Sequence, residues 1–410
     1  MTTTRLTPDA RRILWAQAVR AFAYGFGAVL LGTTLDREGF SSGEVGLVLA
    51  AVVAGTVISS LAVGRWGDRW GRRRSYVALY LALAVTGVVF AFSDQVWALS
   101  AVALIGALST EVVESGAFTS LEQSMLATEL AGRERLRGFG TYNAVATAAG
   151  SLGALAAGAP DLLRRVWSGT PPDQRFFLLF VPAAFAGAAV ACTLSRRVEV
   201  EPRMHHGHPG PGLRQSRPTV LRLAGLFAVD SFGGGFVVQS FIAYWFAAQF
   251  GASTGVLGVI FFVVGVLQTV SFLAAARLGE RFGLLRTMVF THLPSNALLI
   301  AIPFAPNVVV AAVLLFARTA LAQMDVPTRQ AYVMALVDAE ERTPAAAVTN
   351  TARYVVRPVG PALAGVSQSV AFGLPFFLAG TIKSVYDVVL WRWFRKVPLP
   401  EEPARSDAPT

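Results

Sequence analysis

Cysteine is almost absent from this 410-residue chain. Cys192 stands alone inside an apolar run, which excludes a disulfide within the chain and argues against a thiolate metal site. Histidine is nearly as scarce, with four in all, and His292 is isolated in an apolar stretch. No nucleophile with its base, no metal cluster and no phosphate-cradling glycine loop ahead of a lysine is legible, so the chain is not read as an enzyme. No cofactor and no nucleotide fuel are expected. Charge is thin as well: 15% of residues are charged against 54% hydrophobic. Together with a mean hydropathy of +0.54, that lies outside ordinary soluble usage and places the chain in a lipid bilayer. The formal charge of +10 would suggest nucleic acid in a soluble protein. Here the arginines cluster between apolar runs instead of forming one basic face, which excludes nucleic acid as a partner.

What is present is length. A helix rising 1.5 Å per residue needs about 20 apolar residues to cross a hydrocarbon layer of roughly 30 Å. Twelve stretches qualify, near 13–35, 43–63, 76–93, 97–124, 138–159, 176–195, 221–247, 254–276, 286–304, 307–334, 344–370 and 373–394. The fourth and tenth are the least apolar, because Glu111, Glu114, Arg318 and Asp325 interrupt them. The short polar segment from Met1 to Arg12 has no small-residue cleavage site, so the first run reads as a retained anchor.

The connecting loops separate by charge. One set carries Arg11 and Arg12, Arg65 to Arg74, Arg133 to Arg137, Arg196 to Arg222, Arg277 to Arg286, Arg342, and Arg392 to Lys396; the other set is nearly free of bases. Only the connection from Pro160 to Arg175, with Arg164, Arg165 and Arg175, breaks the pattern. The positive-inside rule then puts both termini in the cytoplasm and the chain in the cell inner membrane. The stretch 196–219 contains a Met-His-His-Gly-His-Pro-Gly-Pro-Gly run with too few apolar residues to pack. It reads as a cytoplasmic linker between two bundles, 1–195 and 220–396, followed by a cytoplasmic tail at 397–410. His205, His206 and His208 belong to that tether and are read as a polar connector before a metal contact.

The halves repeat. Gly67, Asp68, Arg69, Trp70 and Gly71 return 212 positions later as Gly279, Glu280, Arg281, Phe282 and Gly283, and Ser41, Gly43 and Gly46 return as Ser253, Gly255 and Gly258. Glu134, Arg135, Asn143, Gly153 and Gly158 return at a spacing of 207 as Glu341, Arg342, Asn350, Gly360 and Gly365. Six spans per half give both halves one orientation, which makes them parallel repeats about an axis along the membrane normal.

Twelve spans in two parallel halves, with Gly67-Asp68-Arg69-x-Gly71-Arg72-Arg73 between the second and third, resemble the major facilitator superfamily over the whole chain. The resemblance implies an all-α membrane protein of twelve transmembrane helices in two six-helix repeats, working by alternating access. It also implies a conformational gate at Gly67, Asp68, Arg69, Gly71, Arg72 and Arg73 and its copy Gly279, Glu280 and Arg281. Asp68 is expected to cap a short helix and, with nearby arginines, to hold the cytoplasmic ends together in the outward-facing state. Two features depart from the family's pattern. The fourth span carries Glu111 and Glu114 ahead of Gly116 where the family keeps an arginine, and the fifth lacks the Gly-Pro signature of drug antiporters.

An ionised side chain near the bilayer centre costs on the order of 3 kcal/mol, so each one present should face a wet cavity or a partner. Arg20, Glu111, Glu114, Asp230, Arg318 and Asp325 are conspicuous, and all fall on spans 1, 4, 7 and 10, the cavity-lining spans that the resemblance implies. The repeat sets Arg20 opposite Asp230 and Glu111 opposite Arg318. The expected pairs are Arg20 with Glu111 or Glu114, and Asp230 with Arg318, with Asp230 and Glu114 as proton carriers; static ion pairs that fix helix packing are the alternative. Tyr24, one turn from Arg20, is a candidate substrate contact. Glu111, Glu114 and Glu122 share one face of their span, and Arg318, Asp325 and Arg329 share one face of theirs. Lys383 and Asp387 are spaced for a private salt bridge. Arg353 and Arg357 either extend an anion-attracting path or brace against Asp325 or the loops.

The function expected is secondary active transport of a small organic molecule, coupled to protons, with efflux slightly favoured and a monomer as the working unit. Uptake of an organic anion with protons is the alternative, as is a receptor or lipid-handling protein on the same scaffold. The partners expected are the small-molecule substrate, protons and the lipid bilayer.

Overall fold

The computed structural model describes residues 7–109, 116–129, 132–199, 213, 215–338 and 341–397. Among these the regular structure is helical throughout. Helices α1 (Pro8–Arg37), α2 (Ser42–Trp70) and α3 (Arg72–Phe92) are continuous. Each start has a local cause. Thr7 accepts from the Ala10 N–H with Pro8 at the first helical position of α1, and Ser41 and Glu44 form a reciprocal capping box on α2. Helices α4 (Val96–Ala103) and α5 (Ala117–Glu129) belong to the fourth span, α6 (Gly132–Ala156) to the fifth, and α8 (Phe180–Thr193) to the sixth; the short α7 (Ala159–Val166) lies in the connection before it.

The second half repeats the plan with more breaks. Helices α9 (Arg217–Gly235) and α10 (Gln239–Phe250) make the seventh span, α11 (Thr254–Phe282) the eighth and α12 (Leu284–Ala301) the ninth. The tenth is α13 (Val308–Ala322) with α14 (Asp325–Leu336), the eleventh α15 (Arg342–Val356) with α16 (Val359–Val370), and the twelfth α17 (Leu374–Phe394). Proline explains two of the interruptions: Pro327 and Pro358 have no N–H to return to the preceding turn, and the tenth and eleventh spans break just there. The seventh breaks after Gly233-Gly234-Gly235, where a Cβ on Gly235 would stand 2.6 Å from the Arg357 carbonyl. Only glycine lets the two backbones cross there. Among the described residues nine helical segments are long and apolar enough to cross a membrane. The other three spans are α4 with α5, α6, and α15 with α16, which are broken or polar.

Close contact between the halves concentrates at one end. A Cβ on Gly32 of α1 would lie 2.5 Å from the Ser240 carbonyl of α10, one on Gly46 of α2 2.9 Å from Gly365 Cα of α16, and one on Gly158 2.9 Å from Gly255 Cα of α11. Asp161 accepts the Gly255 N–H at 2.8 Å, and Asp173 accepts from Thr254 at 3.3 Å while pairing with Arg37 and Arg164. Two of the anomalous arginines of this connection are therefore satisfied locally, Arg164 by Asp161 and Asp173, and Arg175 by the Ala91 carbonyl at 3.2 Å and the Phe92 ring at 4.1 Å. Towards the Arg-rich end α2 near Ser60 and α15 near Tyr354 line a small pocket of about 50 Å³.

The Arg-rich turns are built alike. Gly71 and Gly283 adopt φ of 92° and 87°, a left-handed geometry that joins α2 to α3 and α11 to α12 through one residue each. Asp68 does not cap α3: it is exposed and pairs with Arg72 Nε at 2.9 Å. The cap comes from Glu199, whose carboxylate accepts the N–H groups of Arg72 at 2.6 Å and Arg73 at 3.1 Å. Arg73 also donates to the Cys192 carbonyl at 2.7 Å. These partners lie in the first half and at the start of the linker, so among the described residues the turn braces the first half. In the copy, Glu280 is exposed and Arg281 lies over the Phe282 ring at 5.3 Å.

Candidate functional site

Two buried ionic clusters occupy the interior, one in each half. In the first, Arg20 of α1 meets Glu122 of α5 in a two-pronged pair, Nη2 to Oε2 at 2.5 Å and Nε to Oε1 at 3.3 Å. Glu122 accepts further from Tyr76 and Tyr142, each at 2.6 Å, and Tyr80 lies 3.2 Å from the Tyr76 hydroxyl. The guanidinium is roofed by the Tyr24 and Phe118 rings at 5.2 and 5.0 Å. Arg20 is 2% and Glu122 0% exposed. This carboxylate is saturated with donors, the condition under which a buried ion pair is stable.

This corrects the expectation for Arg20 and Tyr24. Arg20 takes Glu122 as its partner, and the Tyr24 hydroxyl donates to the Ala107 carbonyl at 2.5 Å; neither residue lines the cavity described below. Glu111 and Glu114 lie outside the described residues. A route from Arg20 into a shared central pocket is therefore not what holds its charge.

The second cluster differs. Asp230 of α9 pairs with Lys383 of α17 at 2.5 Å and with Arg329 of α14 at 3.2 Å, and Arg329 reaches Asp325 at 2.6 Å. Behind them His292 of α12 joins two carboxylates, Nδ1 to Asp387 at 3.0 Å and Nε2 to Asp230 at 4.0 Å, while Asn296 donates to Asp387 at 2.8 Å. Two expectations fall here. Asp230 takes Lys383 and Arg329, not Arg318, and Lys383 serves Asp230, not a private pair with Asp387. His292, isolated in sequence, is bonded in space.

These residues form one wall of a cavity of about 220 Å³ between the halves. Among the described residues its charged lining comes from the second half: Asp230, Asp325, Arg318, Arg329, Arg353, Arg357 and Lys383, with His292. The first half contributes only small or neutral residues of α6, among them Thr147, Gly150 and Ser151. Five cations thus face two carboxylates. Nε of Arg318 and of Arg353 have no hydrogen-bond partner. Among the described residues no cluster of ligating side chains suits a metal ion.

The repeat relates the clusters. Spacings of 210, 207 and 212 set Arg20 against Asp230, Glu122 against Arg329 and Tyr80 against His292. The same positions carry a span 1 to span 4 ion pair in one half and a span 7 to span 10 pair of inverted sign in the other.

Comparison with known proteins agrees with this duplicated plan. A family model described as Major Facilitator Superfamily matches residues 13–228 and again 223–410. The chain belongs to the major facilitator superfamily. It is thus a membrane transporter of twelve spans in two six-helix repeats. A relative in Saccharomyces cerevisiae, the uncharacterized membrane protein YJR124C, is 27% identical over 417 aligned positions covering 92% of each chain. Among solved structures, the inward-open xylose transporter XylE from E. coli superposes with a TM-score of 0.71 at 15% identity over 96% of this chain and 97% of that one. The nucleoside transporter NupG superposes with a TM-score of 0.69 at 15% identity, over 95% and 98%. At that identity the superpositions speak for the fold alone.

Proposed function

We propose that this major facilitator protein carries a small organic anion across the membrane together with protons. The observation that carries the reading is the cavity wall, where Arg318, Arg329, Arg353, Arg357 and Lys383 stand against Asp230 and Asp325. Cations removed from water need compensation, and arginine forks match carboxylate or phosphate oxygens in geometry as well as charge. A cavity for lipophilic cations would need the opposite excess. The reading of anion uptake therefore takes precedence over the efflux of a small organic molecule that the sequence slightly favours.

Proton coupling is supported by Asp230, a carboxylate on the cavity wall whose two cationic partners sit on different spans. Rocking of the halves and entry of an anion both compete for those partners. The protein works as a monomer, with bundles 1–195 and 220–396 joined by 196–219, and tail 397–410. Its Arg-rich face and both termini are on the cytoplasmic side of the inner membrane. The test is a thermal-shift screen of purified protein against small mono- and dicarboxylates, sugar phosphates and matched cations, followed by flux of the stabilising compounds into vesicles under a pH gradient. Stabilisation by anions, lost in Arg318→Ala, supports the reading; stabilisation by cations alone contradicts it.

A further inference from the structure

Counting only groups in direct contact, the second-half cluster holds three carboxylates, Asp230, Asp325 and Asp387, and two fixed cations, Arg329 and Lys383. Among the described residues Asp387 bonds to neither of these cations; its partners are His292 and Asn296. Arg318 and Arg353 stand on the same wall with Nε atoms that no protein acceptor takes. His292 is 3% exposed and sits between Asp387 and Asp230. A neutral imidazole donates to one carboxylate only; a protonated one can donate to both and compensates Asp387, which no fixed cation touches.

We propose that the His292–Asp387 pair, and not the cavity-wall Asp230, holds the proton that moves with the substrate. The inference deepens the reading of a proton-coupled anion carrier and rests on it. Several features besides the count carry it. Asp387 is 1% exposed and Asn296 0%, so the pair is shielded behind Asp230 and its Oδ2 is fixed by the Asn296 amide. Lys383 both lines the cavity and holds Asp230. An anion entering the cavity competes for that ammonium and for Arg329, leaving Asp230 undercompensated 4.0 Å from His292 Nε2. The proton and the anion then favour each other's binding, the coupling that cotransport in one direction requires. The repeat supplies an independent contrast. The position of His292 is held in the first half by Tyr80, a phenol within a cluster whose carboxylate is already saturated. An imidazole takes this position only in the half whose charged side chains line the cavity.

The charged and titratable groups facing His292 from every packed element are Asp230 on α9, Arg318 on α13, Asp325 and Arg329 on α14, Arg353 on α15, and Lys383, Tyr386 and Asp387 on α17. The test uses the full chain in lipid nanodiscs without substrate. Replacing His205, His206 and His208 by alanine leaves His292 as the sole histidine, so 15N-labelled imidazole reports it without touching the core. Within about pH 5–8, the range in which histidine ordinarily changes charge, its nitrogens should pass from one protonated site to two. Asp387→Asn should displace that transition, and addition of a dicarboxylate that stabilises the protein should displace it as well. An imidazole in one protonation state throughout, or a transition indifferent to Asp387→Asn, overturns the proposal. In vesicles, His292→Gln should lose the acceleration of anion flux by a pH gradient, read as the ratio of flux with the gradient to flux without it. Gradient-driven flux undiminished in His292→Gln overturns the proton site while leaving the carrier; a titrating His292 that ignores every anion leaves the site and removes the anion reading.

Discussion

Replacing Glu122 by glutamine should destabilise the first half far more than its small change in shape suggests. The side chain keeps its volume, yet Arg20, 2% exposed, loses the carboxylate bonded to it among the described residues. Tyr76 and Tyr142, which donate to Glu122 at 2.6 Å each, fall back to neutral hydrogen bonds. Breaking one side of a buried ion pair costs about 3–5 kcal/mol, because the surviving charge stays out of water. Replacing both ends, Arg20→Met with Glu122→Met, removes the stranded charge and should cost about 2 kcal/mol less than Glu122→Gln alone. The assay is a double-mutant cycle on reversible unfolding in mixed micelles, with tryptophan fluorescence as the signal. A loss below about 1 kcal/mol for Glu122→Gln, or a double variant as unstable as the sum of the singles, would refute the view that this cluster is a saturated internal brace.

Other outcomes follow from the same structure. Glu199→Ala removes the acceptor of the Arg72 and Arg73 N–H groups and should cost about 1 kcal/mol, while Asp68→Ala, at an exposed pair, should cost less than about half of that in the same unfolding assay. Gly235→Val brings a side chain to within 2.6 Å of the Arg357 carbonyl; it should lower stability by several kcal/mol and separate α9 from α15, seen as loss of a cross-link between cysteines at 231 and 353. Asp173→Asn weakens the ties to Arg37, Arg164 and Thr254 and should raise labelling of a cysteine placed at Ser240 in a Cys192→Ser background, because the contacts between the halves at the base-poor end then part more often.

The spans were legible because twenty apolar residues in a row have few other uses, and the duplicated turn was legible because Gly71 and Gly283 answer the same geometric demand. Asp230, Arg318 and Asp325 were found on the cavity wall because charge in an apolar run is conspicuous. Their partners were not. Helical spacing tells which residues share a face, so Lys383 and Asp387 looked like a pair; it does not tell which neighbouring helix arrives, and Lys383 went to Asp230, 153 positions away. For His292 the sequence held no local sign, since its acceptor lies 95 residues on. One signal was present and unused: the spacing of 207 sets Glu122 against Arg329, which alongside Arg20 and Asp230 names both inner ion pairs. Glu199 as the cap of α3 could not be read from spacing, because its reach across 127 positions depends on how the sixth span returns.

The central claim is that a cationic wall in the second half binds an organic anion and a proton together. The most direct measurement is proton movement into sealed vesicles carrying the purified protein when a stabilising carboxylate is added outside, with no pre-set pH gradient. The account predicts alkalinisation outside that follows the anion and vanishes in Arg318→Ala and in His292→Gln. Anion entry with no proton movement, or proton movement driven by an organic cation, would contradict it.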